Sequence, residues 1–211
     1  MLSSNWDELI KEIMSCKKCD LYKYRKNPVP GEGRLDADIM FIGEAPGAQE
    51  DERGRPFVGA AGKLLTELIE SIGLKREEVY ITNVVKCRPP NNRDPTEEEI
   101  EACSPYLIRQ IQLIKPKIII ALGRHAGRFL FTNAGLKWRN MTVMHGKVYD
   151  AELFGVKTKL LATYHPAAAL YYPKLRPELE KDFTTIKKLY EEVVKGGQKK
   201  SRRTLLDYLN G

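Results

Sequence analysis

Long apolar runs are missing from this chain of 211 residues, which excludes a helical membrane span of about 20 such residues. No G-x4-G-K-[ST] run is present, so the glycine loop at 43–47 is not a P-loop, and no good dinucleotide fingerprint replaces it. No internal repeat is visible, which sets solenoids aside. Cysteine is scarce, at four residues, and histidine scarcer still, at three. The opening MLSSNWDELIKEI is amphipathic and acidic, unlike a signal peptide, so a cytoplasmic protein with reduced or metal-bound thiols is expected. Acidic residues are outnumbered 28 to 35, for a net charge of +7. Much of that excess lies in 195–211, where Lys195, Lys199, Lys200, Arg202 and Arg203 face Asp207 alone. The body is therefore mildly basic, and charge by itself is a weak pointer to a polyanionic partner.

What is there begins with the cysteines. Cys16 and Cys19 form C-x2-C; 67 residues separate Cys19 from Cys87, and 15 separate Cys87 from Cys103. Four thiolates from distant segments suit one metal centre, zinc or a [4Fe–4S] cluster, better than disulfides in a reducing compartment.

Apolar periodicity gives the elements. Residues 5–15 read as a helix with Trp6, Leu9, Ile10 and Ile13 on one face. Strands are expected at Asp38–Gly43, Val79–Val85, Lys117–Leu122, Val143–Tyr149 and Thr158–Thr163. Helices are expected at Gly62–Gly73, after the capping box Thr96/Glu99, after Gly123, and from Pro177 to about Lys195. This alternation predicts an α/β protein with a mostly parallel sheet covered on both faces.

Ligands of such sheets bind at the carboxyl ends of the strands. GEAPG (43–47), Asn83 and YHPAAA (164–169) all fall there. Glu44 sits between glycines, where backbone can approach a ligand. Asn83 interrupts an apolar strand; its amide either bonds backbone or reads a pyrimidine edge, oxygen to N3–H and nitrogen to O4. Uracil presents that pair and cytosine the opposite one. Phe57, in the rigid RPFVG loop, is placed to stack on a base, and His165 to donate to a developing anion. His125 and His145 read as structural or surface residues.

GEAPG, GRPFVG, ITNVVKCRPPNNR and HPAA, in this order and with these cysteines, resemble the family 4 uracil-DNA glycosylases, the iron–sulfur type, over about residues 10–195. The resemblance implies a three-layer α/β/α sandwich around a mostly parallel four-stranded sheet, a [4Fe–4S] cluster on Cys16, Cys19, Cys87 and Cys103, and a role in base excision repair. It implies that Asn83 reads uracil, Phe57 stacks on it and His165 bonds its O2. It further implies that Glu50 crowds out the thymine methyl, and that Glu44 orients water or stabilises the sugar cation. Ala45 and Gly47 complete the uracil-binding loop; some members have Gly where this chain has Ala45. Lys86, Arg88 and Arg93 flank the cysteine segment as candidates for DNA phosphates, and Leu170 or Tyr171 is the candidate wedge into the base stack. The charged surface and family habit suggest a thermophilic source.

Gly196-Gly197 opens a basic tail, so the expected organisation is a glycosylase unit at 1–195 and a flexible tail at 196–211. RRTLLDYL (202–209) resembles the peptide by which DNA enzymes dock on the sliding clamp, with Arg202, Leu205, Tyr208 and Leu209 at the key positions and Arg202 standing where Gln is preferred. A monomer acting on single- or double-stranded uracil-containing DNA is expected. Three other readings stay open at this level: a broader glycosylase of the same superfamily, a non-enzymatic DNA-binding subunit, and an electron carrier.

Overall fold

The computed structural model describes residues 2–196. Its strands are β1 (Glu32–Gly33), β2 (Ile39–Gly43), β3 (Tyr80–Asn83), β4 (Ile118–Leu122), β5 (Val148–Leu153) and β6 (Val156–Thr163). They form one sheet in the order β1-β3-β2-β4-β6-β5. The inner four run parallel, and β1 and β5 are antiparallel edges. β2 and β4 are buried at every position, as near-continuous apolar runs with both faces covered must be.

The period-2 alternation of these strands divides the core. Met40, Ile42, Ile119, Ala121, Leu160 and Ala162 pack with helices α1 (Leu2–Ser15), α4 (Glu97–Ile114) and α5 (Arg124–Asn133). Ile39, Phe41, Ile118, Ile120 and Leu161 pack on the opposite side with α3 (Ala60–Ser71) and α8 (Arg176–Tyr190). Each fully buried Leu, Ile or Phe contributes roughly 1.5–3 kcal/mol, so the two apolar layers hold the sandwich. The capping box of α4 forms: Glu99 N–H donates to Thr96 Oγ1 at 3.3 Å and Thr96 N–H to Glu99 Oε2 at 2.8 Å.

The three-layer expectation holds, with a six-stranded mixed sheet in place of four strands. β1 is two residues long, too short to leave a periodic signal. β5 and β6 form a hairpin through Phe154 and Gly155, both at positive φ, the geometry of a tight two-residue turn. The strand expected at Val143–Tyr149 is displaced. Asn140 Oδ1 accepts from Val143 N–H at 3.1 Å and caps the helical turn α6 (Met141–Met144), so the strand begins at Val148; a local cap overrode the apolar pattern. Two more short helices were not anticipated, α2 (Ala48–Arg53) and α7 (Pro166–Tyr171). Pro166 at the first position of α7 makes His165 its N-cap.

Candidate active site and cysteine centre

The parallel strands end level with one another. Gly43 pairs with Asn83, and Leu122 with Thr163, so the loops after β2, β3, β4 and β6 open on one crevice. Val84 N–H donates to Gly43 O and Val85 N–H to Glu44 O, both at 2.9 Å, which ties the GEAPG loop to the continuation of β3. A side chain at Gly43 would run into the Asn83 carboxamide oxygen and come within 2.7 Å of Phe57 Cζ; only glycine leaves that space open.

Asn83 is 2% exposed, and its Oδ1 lacks a hydrogen-bond partner, alone among the buried side-chain polar atoms of the described residues. An unsatisfied buried acceptor costs about 1–3 kcal/mol, a cost that a ligand donor would remove. Phe57 stands beside it at φ +50°, a left-handed conformation costing about 1–2 kcal/mol outside glycine. Its ring stacks against His165 with centroids 5.5 Å apart and planes at 28°. Glu50, on α2, accepts from Val58 N–H at 2.8 Å and Gly59 N–H at 2.9 Å through Oε1, while Oε2 lies beside Gly47, the N-cap of α2. The structure thus shows the Glu50 carboxylate holding the Phe57 loop, a task the sequence did not announce.

His165 Nδ1 accepts from Ala167 N–H at 3.1 Å. Burial pushes its pKa down to about 4, against a small opposing pull from Glu50. The ring is therefore neutral near pH 7, and with Nδ1 occupied as acceptor its proton sits on Nε2 as a donor. Across the crevice, burial raises the Glu44 pKa to about 7, Asp94 adds to the rise, and Arg124 opposes it. Glu44, Asp94 and His125 bring ligand atoms within 4.8 Å of one another. His125 Nε2 is 3.1 Å from Asp94 Oδ2 and 3.9 Å from Glu44 Oε2. His125 is thus neither plain core nor plain surface. Its position three residues past the end of β4 was the signal available. His145 is structural, with Nδ1 at 3.0 Å from Asp182. Ala45, half-buried, packs against the α1/α4 layer.

The structure brings Cys16, Cys19, Cys87 and Cys103 around one space, together with Ile13, Tyr22 and Tyr106. All four are free thiols. Burial raises the pKa of Cys103 to about 12 and pushes Cys87 and Cys19 upward. Arg25 Nη1 donates to Cys87 Sγ at 3.0 Å, and Lys86 N–H to Cys103 Sγ at 3.2 Å.

Lys86 needs correction as a phosphate ligand. It is 1% exposed, and its ammonium donates to Thr82 Oγ1, Asn83 O and Gln110 Oε1 at 2.6–2.7 Å. A lysine in a strand-end motif looks available until the tertiary fold closes over it. Arg88 donates to Asn92 Oδ1 at 2.8 Å. Arg93 is exposed and forms a forked pair with Glu99 at 2.6 and 2.8 Å. Leu170 and Tyr171 lie in the last turn of α7, with Tyr171 81% exposed and Tyr172 beside it. Arg202, Leu205, Tyr208 and Leu209 lie outside the described residues.

The family model of the uracil DNA glycosylase superfamily matches residues 30–193. A type-4 uracil-DNA glycosylase of Archaeoglobus fulgidus is 55% identical over 203 residues, covering 96% of this chain and 98% of that protein. One of Saccharolobus solfataricus is 58% identical over 184 residues, 87% of this chain and 85% of its own. A type-5 uracil-DNA glycosylase of Pyrobaculum aerophilum is 31% identical over 193 residues, 77% of this chain and 82% of that protein. The chain therefore belongs to the uracil DNA glycosylase superfamily and, within it, to the type-4 uracil-DNA glycosylases.

Proposed function

We propose that this chain excises uracil from DNA by hydrolysing the N-glycosidic bond, leaving an abasic site. The observation that carries the reading is the orphaned Asn83 Oδ1, beside a Phe57 ring held in a strained conformation and facing a neutral His165. A deoxyuridine flipped from the stack stacks on Phe57, gives its N3–H to Asn83 Oδ1 and accepts at O4 from the amide nitrogen. As the C1′–N1 bond stretches, the electron pair moves into the base, and the sugar takes on oxocarbenium character. His165 Nε2–H donates to O2, where the negative charge grows, without giving up its proton. Water adds to C1′ and loses a proton toward the Glu44 carboxylate; uracil leaves as the anion and is later protonated. Glu44, ionised above about pH 7, also favours the cationic sugar. Glu50 orders the Phe57 loop; the thymine gate is tested by giving a Glu50→Ala variant a T·G substrate, where continued complete rejection discards the gate.

The four cysteines fit a [4Fe–4S] cluster. They are free thiols, they come from three segments, and they line one space. When bound, such a cluster supplies cross-linking and thiolate charge rather than a redox step. Arg25, the Lys86 N–H and Tyr106 are the residues around that charge. Arg88 and Arg93 are proposed to meet DNA phosphates, and Leu170 or Tyr171 to enter the base stack. The body is proposed to act as a cytoplasmic monomer; among the described residues no helix is long and apolar enough to cross a membrane. The tail from 196 is proposed to dock on a sliding clamp; clamp binding by a chain truncated at Gly197 would reject that assignment.

The deciding experiment is excision from oligonucleotides carrying one U·G, U·A, T·G or hypoxanthine·T pair. Alkali-labile sites confined to the two uracil substrates are expected. Equal cleavage of hypoxanthine or thymine overturns the assigned specificity, and no cleavage at all overturns the enzyme.

A further inference from the structure

The Phe57 conformation needs an explanation that its own ring does not supply. Two peptide planes meet at the Phe57 α-carbon: one carries the Pro56 carbonyl, the other the Val58 N–H. Their mutual rotation is the φ and ψ of Phe57. The second plane is held by Glu50 Oε1 through the Val58 N–H, and the plane after it by the same oxygen through the Gly59 N–H. The first is held from a different part of the chain. Arg76, in the turn before β3, donates from Nη2 to Pro56 O at 2.6 Å. Its Nη1 reaches Thr66 Oγ1 on α3 at 3.2 Å, and its Nε lies 3.5 Å from Glu32 Oε1 on β1. Glu32 is in turn gripped by the fork of Arg55 at 2.6 and 2.8 Å. The Arg76 side chain is 17% exposed, so it cannot swing freely into water. Below the loop, a side chain at Gly62 would collide with the Phe57 carbonyl, so α3 takes the loop backbone at contact distance.

We propose that Arg76 is a positioning residue for the base-stacking ring of Phe57. It pins the peptide plane before the ring while Glu50 pins the plane after it, and Glu32 orients the guanidinium. A cation on the carbonyl and an anion on the amides hold both sides of one strained α-carbon. The ring then meets the incoming base already in place, with no loop ordering left for the binding step. Arg55 and Glu32 extend this brace to β1 at the sheet edge. The inference rests on the stacking role assigned to Phe57 above, and its test separates the two.

Arg76→Ala is expected to lower kcat on a U·G duplex by on the order of tenfold or more, with Arg76→Lys recovering part of the loss because one donor to Pro56 O is restored. In a Phe57→Ala background, Arg76→Ala is expected to change the rate by no more than about twofold, since residues acting through one another are not additive. Amide exchange at Val58 and Gly59 is expected to speed up in Arg76→Ala while melting of the whole protein moves little. Wild-type kcat together with unchanged exchange in Arg76→Ala overturns the proposal. So does an undiminished loss in the Phe57→Ala background, which would mark Arg76 as a general structural residue. If Phe57→Ala itself excises at the wild-type rate, the stacking role falls, and the exchange result still decides whether Arg76 holds the loop.

Discussion

Two buried amides lie near the end of β3, and they are treated in opposite ways. Gln110, on α4, uses every group it has: its nitrogen donates to Pro30 O at 2.8 Å and Tyr80 Oη at 3.1 Å, and its oxygen accepts from Lys86 Nζ at 2.7 Å. Asn83, one residue past Thr82 of the same network, leaves its oxygen unbonded. Both are almost fully buried, at 0% and 2% exposure. A fold able to satisfy an amide, a lysine and a threonine in one small volume does not leave a neighbouring acceptor bare by default. Full satisfaction is what a scaffold shows on the cysteine side of β3, and the deficit on the crevice side supports the base-reading role proposed for Asn83.

The sharpest way to break this comparison is to truncate both amides. Asn83→Ala should cut excision by on the order of a hundredfold or more while leaving thermal stability unchanged or slightly raised, because it deletes an unsatisfied acceptor. Gln110→Ala should do the reverse. It removes one of the three acceptors of Lys86 Nζ and the amide donor to Pro30 O and Tyr80 Oη, and should cost about 1–3 kcal/mol in denaturant unfolding, with excision per folded molecule retained. Equal effects on stability from both substitutions would show that the two amides do the same job.

A second test concerns the scaffold side alone. Cys87→Ser should remove the visible absorbance expected of an iron–sulfur protein and lower the melting temperature by on the order of 10 °C. A variant with its colour and stability intact would show that Cys87 is not a ligand.

The smallest effect expected is in pH dependence, and it separates Glu44 from His165. The raised Glu44 pKa means that the carboxyl is protonated below about pH 7 and ionised above it. If the carboxylate is the working form, kcat should climb as pH rises through about 7 and then level off, and Glu44→Gln should flatten that climb. The lowered His165 pKa predicts no loss from imidazole protonation until pH approaches about 4. A rate that falls as pH rises through 7 would instead assign the neutral carboxyl.

Much of the site was legible because its residues sit at strand ends, where apolar runs stop abruptly. Asn83 and His165 were found that way, and so was the convergence of three loops. Glu50 was named as a gate against the thymine methyl, and its hold on the Phe57 loop was not foreseen: a carboxylate in a helical AQED run carries no sign that its oxygen will accept from amides eight and nine residues on. Asp94 and His125 were missed because they reach Glu44 from the loop before α4 and the first turn of α5, and no sequence pattern encodes a distance of 3.9 Å. Lys86 was misread because a single positive charge next to a cysteine looks solvent-facing until Gln110 and Thr82 are seen to surround it.

The linear chain by itself determined the parallel core, the two-sided burial of its strands and the four-thiol inventory. These follow from period-2 and period-3.6 apolar spacing and from residue type, which are local properties. Tertiary structure alone decided which polar groups are satisfied. It paired Gln110 with Lys86, set Arg76 and Glu50 on either side of Phe57, desolvated His165 and Glu44, and left Asn83 Oδ1 bare. Satisfaction and desolvation depend on what other segments bring within 3 Å, and that is a property of the packed molecule.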